Sequence, residues 1–320
     1  MVFDAHSDLF YDVTRRRLAG ETHVLDRRHL DRLRRGGIEG LVLAYWYGTG
    51  SKNEAFWKEI PNMDAASARL HVMQDCAQAE LAECPWLTLV RTAQEAGAAK
   101  NAGNIYAFLC IEGMEGVQTL EEIDRLAESG VRIAMLTWNE ENQFAAGAGQ
   151  DPEKGLTELG RQAVRRLEDR GILLDASHLS DGSFWDMMKM VRGPVIASHS
   201  NSRALCGARR NLTDEQLRAI RDTGGVVGLN VTPSFISEDP EKQTAETLAL
   251  HAAHIADVIG VECVGCGFDF CEFIGPGNEG AKGLEDCSCI PSFFDCLERL
   301  GMNARERQMV AAENFLRVLA

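Results

Sequence analysis

The stretch ILLDASHLSDGSFWDMMKMVRGPVIASH, residues 172–199, decides the fold. It opens and closes with short apolar runs of β-prone residues, 172–178 and 194–199, and the longer segment between them suits a helix. A strand, a helix and a second strand predict two parallel strands joined by a right-handed crossover. Each run ends on a histidine, His178 or His199, so the unit also carries ionisable side chains at matching positions.

The same alternation extends outward along the chain. Eight β-prone runs alternate with segments of helical periodicity, and they lie at residues 2–6, 40–46, 105–112, 132–138, 172–178, 194–199, 225–231 and 263–269. Eight repeats favour a closed (β/α)8 barrel, the TIM-barrel fold, in a single domain over residues 1–320. A doubly wound open sheet is the alternative that the pattern leaves open.

Two long regions without a β-prone run interrupt the alternation, residues 47–104 and residues 270–291. The second region is rich in Gly, Glu and Cys. Both are predicted to be loop insertions near the barrel mouth, where such loops usually shape specificity rather than supply the chemistry.

The overall charge argues against a nucleic-acid partner. The formal net charge is -15 at pH 7, whereas nucleic-acid binding depends on Lys and Arg that neutralise phosphates. The sequence shows no N-terminal signal pattern and no apolar run of the roughly 18 residues that a membrane span needs. It therefore predicts a cytoplasmic protein without a membrane partner.

Ten cysteines raise the question of disulfides or a zinc ribbon. Cys263 and Cys266 form a CxxC pair, and Cys287 and Cys289 lie downstream. The first pair falls in a predicted strand, where side chains three apart point to opposite faces. Free, buried thiols are therefore the expectation.

Ionisable residues cluster at the carboxyl ends of the predicted strands. This strand-end set consists of His6, Asp8, Glu112, His178, His199 and Asp269. Barrel active sites are built on that face, so these residues are expected to converge on one cavity. A lone histidine after a strand is more often a hydrogen-bonded core or loop residue. Three imidazoles with carboxylates at the same end of several strands are instead typical of a metal site.

Five members of the set are predicted metal ligands: His6, Asp8, Glu112, His178 and His199. Residues i and i+2 on an extended strand point the same way, so His6 and Asp8 could reach one ion. Five ligands are too many for one tetrahedral zinc with an open position, and they suit two divalent ions bridged by Glu112. Such ions activate water and polarise a carbonyl. Zinc, manganese and iron all accept carboxylate and imidazole ligands of this kind.

Two further residues complete the predicted site. Asp269 would carry a proton from the attacking water to a leaving amine, with a strand-end cap as its simpler interpretation. Arg210, in the run Ala208-Arg209-Arg210-Asn211, could bind a substrate carboxylate with both arms of its guanidinium group. Taken alone, an arginine in a loop is usually solvated.

Ordered motifs along nearly the whole chain carry a resemblance to a known family. They are Asp4-Ala5-His6-Ser7-Asp8-Leu9, Ile111-Glu112-Gly113, Leu174-Asp175-Ala176-Ser177-His178, Ser198-His199-Ser200, Arg209-Arg210-Asn211, Gly265-Cys266-Gly267-Phe268-Asp269 and the final Asn314-Phe315-Leu316-Arg317-Val318-Leu319. Each motif is modest, but together they resemble the renal, or membrane, dipeptidase family of zinc peptidases, peptidase family M19.

The resemblance implies an amidohydrolase-type barrel with a binuclear zinc centre that hydrolyses dipeptides, often with a D-residue at the C-terminal side. Members of the family are commonly homodimers. By position, the resemblance assigns one zinc to His6 and Asp8, the other to His178 and His199, the bridge to Glu112, catalysis to Asp269 and substrate contact to Arg210.

Two departures from the family pattern affect the substrate-binding residues. After the fourth strand the family usually has Leu-Thr-His, and this chain has Leu136-Thr137-Trp138. Trp138 cannot bind zinc, although its indole N–H can donate one hydrogen bond to a substrate. Loss of an oxyanion donor typically costs about a hundredfold in rate. The family's Asp-Phe-Asp-Gly is here Asp269-Phe270-Cys271-Glu272.

Three functions are therefore weighed. A metal-dependent dipeptidase is favoured, with a dipeptide as its small-molecule substrate. A related hydrolase of another amide, lactam or ester is the alternative that Trp138 suggests. A noncatalytic protein with a metal-binding barrel is the third, and the intact ligand set with Asp269 argues against it.

Overall fold

The computed structural model of this protein describes residues 1–47 and 63–320. The described residues form nine strands and thirteen α-helices. The strands are β1 Val2–Ser7, β2 Ile38–Tyr45, β3 Leu87–Leu89, β4 Ile105–Glu112, β5 Val131–Met135, β6 Leu173–Asp175, β7 Val195–Ile196, β8 Val227–Leu229 and β9 Val264–Cys266. The α-helices are α1 Leu9–Leu18, α2 Leu30–Arg35, α3 Met63–Leu81, α4 Ala93–Asn101, α5 Leu120–Ser129, α6 Glu158–Asp169, α7 Asp181–Met188, α8 Asp214–Asp222, α9 Pro233–Ile236, α10 Ala245–Ile259, α11 Ile290–Arg299, α12 Ala304–Gln308 and α13 Asn314–Val318.

All eight predicted strands are present, although most are shorter than the apolar runs that predicted them. In the runs 172–178 and 194–199, only β6 and β7 pair as strands, yet the residues that follow them up to His178 and His199 stay buried. At His178 the backbone turns into the left-handed region, with φ +69°, which a strand cannot contain. The apolar pattern therefore marks burial beyond the point where the hydrogen-bonded ladder ends.

Neighbouring strands follow chain order around a parallel barrel. β1, β2, β4, β5, β6 and β7 pair in sequence, a bridge between Ala197 and Val227 leads to β8, and β8 pairs with β9. β9 returns to β1, where the Phe268 backbone N–H donates to Asp4, N to Oδ1 2.8 Å. A doubly wound sheet would reverse its strand order, and this one does not. The (β/α)8 barrel is confirmed, and the open sheet is excluded.

Alternating side chains on the strands separate two layers of core. The inner layer joins residues of different strands inside the barrel, among them Phe3, Val42, Phe108, Met135 and Ile196. The outer layer, which includes Leu43 and Leu109, packs the same strands against the helices. Phe315 of α13 belongs to the inner layer and contacts Phe3, with ring centroids 6.0 Å apart. Burial of each such ring stabilises the folded state by roughly 1.5–3 kcal/mol. The tightly packed core therefore holds the strand ends at the barrel mouth in place.

The prediction of a loop insertion over residues 47–104 is wrong for its described part. This part holds α3, β3 and α4, and β3 pairs with the first half of β4, Leu87 opposite Ile105. β3 is the three-residue sequence Leu-Thr-Leu, which pairs only with the beginning of β4. A run this short does not stand out as an apolar stretch in the sequence. Residues 48–62 of the predicted insertion lie outside the described residues.

The second predicted insertion, residues 270–291, is described throughout. It holds two short 3-10 helices, Glu272–Ile274 and Cys287–Cys289, enters α11 at its end, and contains no strand. All ten cysteines are free thiols. In the described ranges, no helix combines the length and the apolar character that crossing a membrane requires.

Candidate metal centre

The residues of the strand-end set lie on one face of the barrel, each at or close to the carboxyl end of its strand. Glu112 is the last residue of β4, and His178, His199 and Asp269 each follow the end of their strand by three residues. These four residues come from different strands, and the barrel brings them together with His6 of β1. The predicted convergence on one cavity is therefore what the structure shows.

Glu112 lies between two groups of nitrogen and oxygen atoms. Its Oε2 atom is 3.2 Å from His6 Nε2, and its Oε1 atom is 2.8 Å from His178 Nε2 and 3.6 Å from His199 Nε2. The side chain is only 3% exposed, so the protein encloses both oxygens. One carboxylate with a different histidine at each oxygen is the arrangement expected of a bridge between two ions.

Each oxygen of Glu112 faces its own set of donors. In the first set, His6 Nε2 is 3.4 Å from Asp8 Oδ1 and 3.9 Å from Asp269 Oδ1. In the second set, the Nε2 atoms of His178 and His199 face each other at 2.9 Å. The first set is rich in carboxylate and the second in imidazole, and both kinds of ligand suit zinc and similar divalent ions.

His6 and Asp8 approach each other for a different reason from the one that their spacing suggested. Asp8 lies outside β1 and caps α1, with φ -86° and ψ 24°, so the two residues do not share an extended strand. β1 also carries one extra residue, since Asp4 pairs with Leu41 and Ser7 with Leu43. The bulge turns His6 into the site, as bulges near active sites commonly do. The prediction of a shared extended strand is therefore wrong, although the two side chains do meet.

Two site residues have a strained backbone. His178 and Asp269 adopt φ +69° and +60°. In the described chain, His23 is the one other non-glycine residue with a positive φ. Residues in this region cost of order 1–3 kcal/mol, and they concentrate at functional sites. The His178 turn is held by a hydrogen bond from the Ala148 N–H to the His178 carbonyl, 2.7 Å.

The residues present fit bound divalent metal. In residues 1–47 and 63–320, His6 Nε2, Asp8 Oδ1 and Glu112 Oε2 are buried and make no hydrogen bond, although they face one space. An unsatisfied buried polar group costs roughly 1–3 kcal/mol, which a bound cation offsets. Burial lowers the pKa values of His178 and His199, so their imidazoles are neutral, the form that binds metals.

The buried carboxylates of the centre also favour a bound cation. Burial, and then repulsion from Asp8, raises the pKa of Glu112 to about 8. Burial raises the pKa of Asp269 to about 6. Carboxylates buried side by side resist ionisation unless a cation neutralises them.

Two hydrogen bonds orient the imidazoles of the second set. Asn139 Oδ1 lies 2.9 Å from His178 Nδ1, and Ser198 Oγ lies 2.7 Å from His199 Nδ1. With Nδ1 engaged, each histidine presents Nε2 to the site, the usual arrangement around a metal. Sequence reasoning missed both partners. Nothing in the sequence marks Asn139, which is 39 residues from His178, whereas Ser198 directly precedes its histidine.

Two buried aspartates that sequence reasoning also missed tie the site-bearing turns together in pairs. Asp175 Oδ1 accepts hydrogen bonds from the Ser177 and Ser198 N–H groups, 2.9 and 3.1 Å, just before His178 and His199. Asp4 Oδ1 accepts hydrogen bonds from the His6 and Phe268 N–H groups, 3.4 and 2.8 Å, and so links the first and last strands where the barrel closes. An aspartate two or three residues before a strand-end histidine is the sequence signal that could have found them.

Replacement of Asp175 by alanine is expected to weaken metal binding about 10- to 100-fold, the usual effect of removing a partner that orients ligands. Competition with a chromophoric chelator measures the affinity. Asp175→Asn keeps an acceptor oxygen and should retain most of the affinity, and Asp257→Ala, at an exposed position of α10, is the matched control. An unchanged affinity in Asp175→Ala would show that the two histidine turns need no such tie.

Arg210 lies beside the second donor set as a buried cation. It is 8% exposed, its Nη2 donates to the His199 carbonyl at 3.2 Å, and its guanidinium group lies over the Phe235 ring at 5.7 Å. Burial lowers its pKa to about 10, so it stays charged at neutral pH. Within the described part of the chain, no carboxylate forms an ion pair with it. A buried guanidinium group without a counter-ion is well suited to an anionic group of a ligand.

A cavity of about 540 Å³ opens over the centre. Asp8, Glu112, His178 and Asp269 lie at its base, and Trp138 forms part of its wall. The Trp138 ring is 6.0 Å from the His178 ring. Trp138, which stands where the family usually has a histidine, therefore lies at the site. The second departure lies there too, since Cys271 Sγ is 3.5 Å from Asp269 Oδ1.

Comparison with known proteins agrees with this geometry. The chain is 34% identical over 219 residues to an uncharacterized dipeptidase of Schizosaccharomyces pombe, covering 67% of this chain and 53% of the yeast protein. It is 32% identical over 200 residues to an uncharacterized protein encoded in the pqqA 5′ region of Klebsiella pneumoniae, covering 60% of this chain and 72% of that protein. The chain thus matches only about half the length of the yeast relative.

A solved structure and a family model cover almost the whole chain. A metallopeptidase from Rhodobacter sphaeroides, crystallised with a phosphinate mimic of the dipeptide L-Ala-D-Ala, superposes with a TM-score of 0.87 at 25% identity, covering 99% of this chain and 98% of that one. The model of membrane dipeptidase, peptidase family M19, matches residues 1–320. The chain, with its barrel and its strand-end cluster of ionisable residues, therefore belongs to the membrane dipeptidase family, peptidase family M19.

Proposed function

We propose that this protein is a dipeptidase that uses two divalent metal ions, zinc by preference, and accepts dipeptides with an L- or a D-residue at the C-terminal side. The observation that carries the proposal is the position of Glu112 between two donor sets, with the unpaired cation of Arg210 beside the second. Membership of the family supports it. So does the phosphinate dipeptide mimic in the Rhodobacter sphaeroides structure, which was bound by that protein.

The donor sets define where the ions would bind. His6 and Asp8 would hold one ion, His178 and His199 the other, and Glu112 would bridge them. When bound, such ions lower the pKa of a water molecule and polarise the carbonyl of the substrate.

Asp269 is placed to move protons at this centre. Its Oδ2 accepts a hydrogen bond from Asn230 Nδ2 at 3.0 Å, which fixes the carboxylate, while Oδ1 faces the site 3.9 Å from His6 Nε2. Burial raises its pKa to about 6, closer to neutral pH than an ordinary aspartate, which favours reversible proton transfer. Asp269 would take the proton of the attacking water and deliver it to the nitrogen of the leaving amino acid.

Arg210 would favour substrates that, like dipeptides, have a single residue after the scissile bond. Its guanidinium group contacts the backbone of His199, a ligand of the second ion, so a carboxylate bound there lies close to the reacting carbonyl. Only a substrate with a single residue after the scissile bond can place its carboxylate so near. A peptide with more residues after the scissile bond would put an uncharged amide against a buried cation.

Arg210→Met is expected to raise KM for dipeptides about a hundredfold, because two charge-assisted hydrogen bonds contribute roughly 3 kcal/mol in total and 1.4 kcal/mol corresponds to a factor of ten. kcat should change less, since the reacting groups stay in place. Steady-state kinetics on a dipeptide and on its C-terminal amide measure the effect. The amide lacks the carboxylate and should be hydrolysed equally slowly by both proteins, and an equal loss on both substrates would contradict this role.

The proposed function is tested with metal-free protein reconstituted separately with zinc, manganese or iron. Hydrolysis of L-L and L-D dipeptides should be absent from the metal-free protein and return with metal. Failure of every metal-loaded form to cleave any dipeptide would contradict the proposal. In that case Trp138, in place of the histidine that the family resemblance predicts, favours a second candidate, hydrolysis of another amide, a lactam or an ester, and the same preparations should cleave such compounds.

A further inference from the structure

Three aromatic side chains form a continuous surface at one side of the cavity, here called the aromatic wall. It consists of Tyr11, Trp46 and Trp138. The Tyr11 and Trp46 ring centroids are 5.0 Å apart, and those of Trp46 and Trp138 are 5.5 Å apart. All three line the cavity over the metal centre. The wall reaches the ligands directly, because the Trp138 ring lies 6.0 Å from the ring of His178.

The members of the wall differ in burial. Tyr11 and Trp46 are 1% and 7% exposed and belong to the packed core, whereas Trp138 is only partly buried and presents its ring to the cavity. Trp138 is therefore the member that a ligand would touch most directly. The other two hold it in place and extend the apolar surface behind it.

The wall lies across the barrel mouth from Arg210. Its residues follow β1, β2 and β5, which lie in one half of the strand order, whereas Arg210 and Phe235 follow β7 and β8 in the other half. Glu112 ends β4 in the half that carries the wall, and His178 follows β6, between the strands that precede Trp138 and Arg210. A dipeptide whose carboxylate binds Arg210 and whose carbonyl lies at the centre must extend its first residue toward the wall.

We infer that the aromatic wall binds the side chain of the N-terminal residue, and that the enzyme therefore prefers dipeptides with an aromatic or large aliphatic residue at that position. The inference rests on the proposed function. Aromatic rings attract one another at centroid separations of 4.5–7 Å in stacked or edge-on geometry, and the wall already uses this spacing internally. A side chain placed against Trp138 would be removed from water, whereas glycine or alanine would leave the ring exposed.

The test compares kcat/KM for Phe-Ala, Leu-Ala, Ala-Ala and Gly-Ala in the metal-loaded enzyme. Phe-Ala and Leu-Ala should exceed Gly-Ala by at least about tenfold. In Trp138→Ala this ratio should fall to about threefold or less, because the loss of activity on Phe-Ala and Leu-Ala should exceed the loss on Gly-Ala. Trp138→Phe should keep most of the preference. Trp185→Ala, at a half-exposed tryptophan of α7, is the matched control and should behave as the unaltered enzyme.

The outcomes separate this inference from the proposed function. Cleavage of all four dipeptides at similar kcat/KM would overturn the inference and leave the dipeptidase intact. An equal loss on all four substrates in Trp138→Ala would also overturn it, because Trp138 would then act on the reaction rather than on the side chain. If no dipeptide is cleaved, the proposed function fails, and calorimetry with phosphinate analogues of Phe-Ala and Gly-Ala decides the inference. Tighter binding of the Phe analogue, lost in Trp138→Ala, supports it, and equal or absent binding of the two overturns it.

Discussion

Asp269→Asn is expected to lower kcat for dipeptide hydrolysis by about three orders of magnitude, since general acid–base catalysis by a positioned side chain typically contributes 10²–10⁴-fold. The amide has nearly the same shape and can keep its contact with Asn230, but it cannot accept a proton from water or return one to the leaving amine. Metal content and the temperature of unfolding should stay close to those of the unaltered protein. Stopped-flow or steady-state kinetics, together with metal analysis of the same samples, measure the two effects.

The metal analysis is essential, because Asp269 Oδ1 also lies within reach of the first donor set, 3.9 Å from His6 Nε2. Loss of an ion together with the rate would identify Asp269 as a ligand rather than a proton carrier. A rate within tenfold of normal would contradict both roles. Asp239→Asn, on an exposed turn, provides the matched control.

Glu112→Gln is expected to have a comparably large effect for a different reason. Glutamine keeps one oxygen but replaces the other with an NH2 group, which donates and cannot bind a cation. The variant should therefore hold one ion or fewer in place of two, and kcat/KM should fall by more than about a thousandfold, because the two-ion clamp on the reacting groups is lost. Elemental analysis after dialysis, and kinetics at saturating metal, provide the measurements.

A control substitution distinguishes the specific loss of the Glu112 carboxylate from a general disturbance of the buried site. Glu115→Gln changes another poorly exposed carboxylate, which Tyr47 and the Trp138 backbone N–H contact at 3.4 and 3.3 Å, three residues further along the chain. It should leave two ions in place. Retention of both ions by Glu112→Gln would mean that this carboxylate does not bridge them.

The fold and the position of the site could be predicted from the sequence because both depend on strong local patterns. Buried parallel strands require continuous apolar runs, and barrel sites occupy the carboxyl ends of those runs. The ionisable residue at the end of a run, such as His178 or Glu112, was therefore visible without coordinates. β3 was not visible, because three residues that extend an existing strand need no distinctive pattern of their own.

The contacts that aim the ligands could not be predicted, because they join parts of the chain that no pattern connects. The β1 bulge that turns His6 inward depends on pairing with β2. The hydrogen bonds from Asp175 and Asn139 depend on which strands are neighbours. The aromatic wall is a similar case. Trp138 could be recognised as unusual in the sequence, but Trp46, which contacts its ring, and Tyr11, which contacts Trp46, follow other strands and come together with it only in the closed barrel.

The central claim, a two-ion centre bridged by Glu112, is tested most directly by a crystal structure of the zinc-loaded protein with anomalous data collected on both sides of the zinc edge. Two anomalous peaks are expected at the barrel mouth, one beside His6 and Asp8 and one beside His178 and His199, with one oxygen of Glu112 on each. A single peak, or two peaks with Glu112 bound to neither or only one of them, would contradict it.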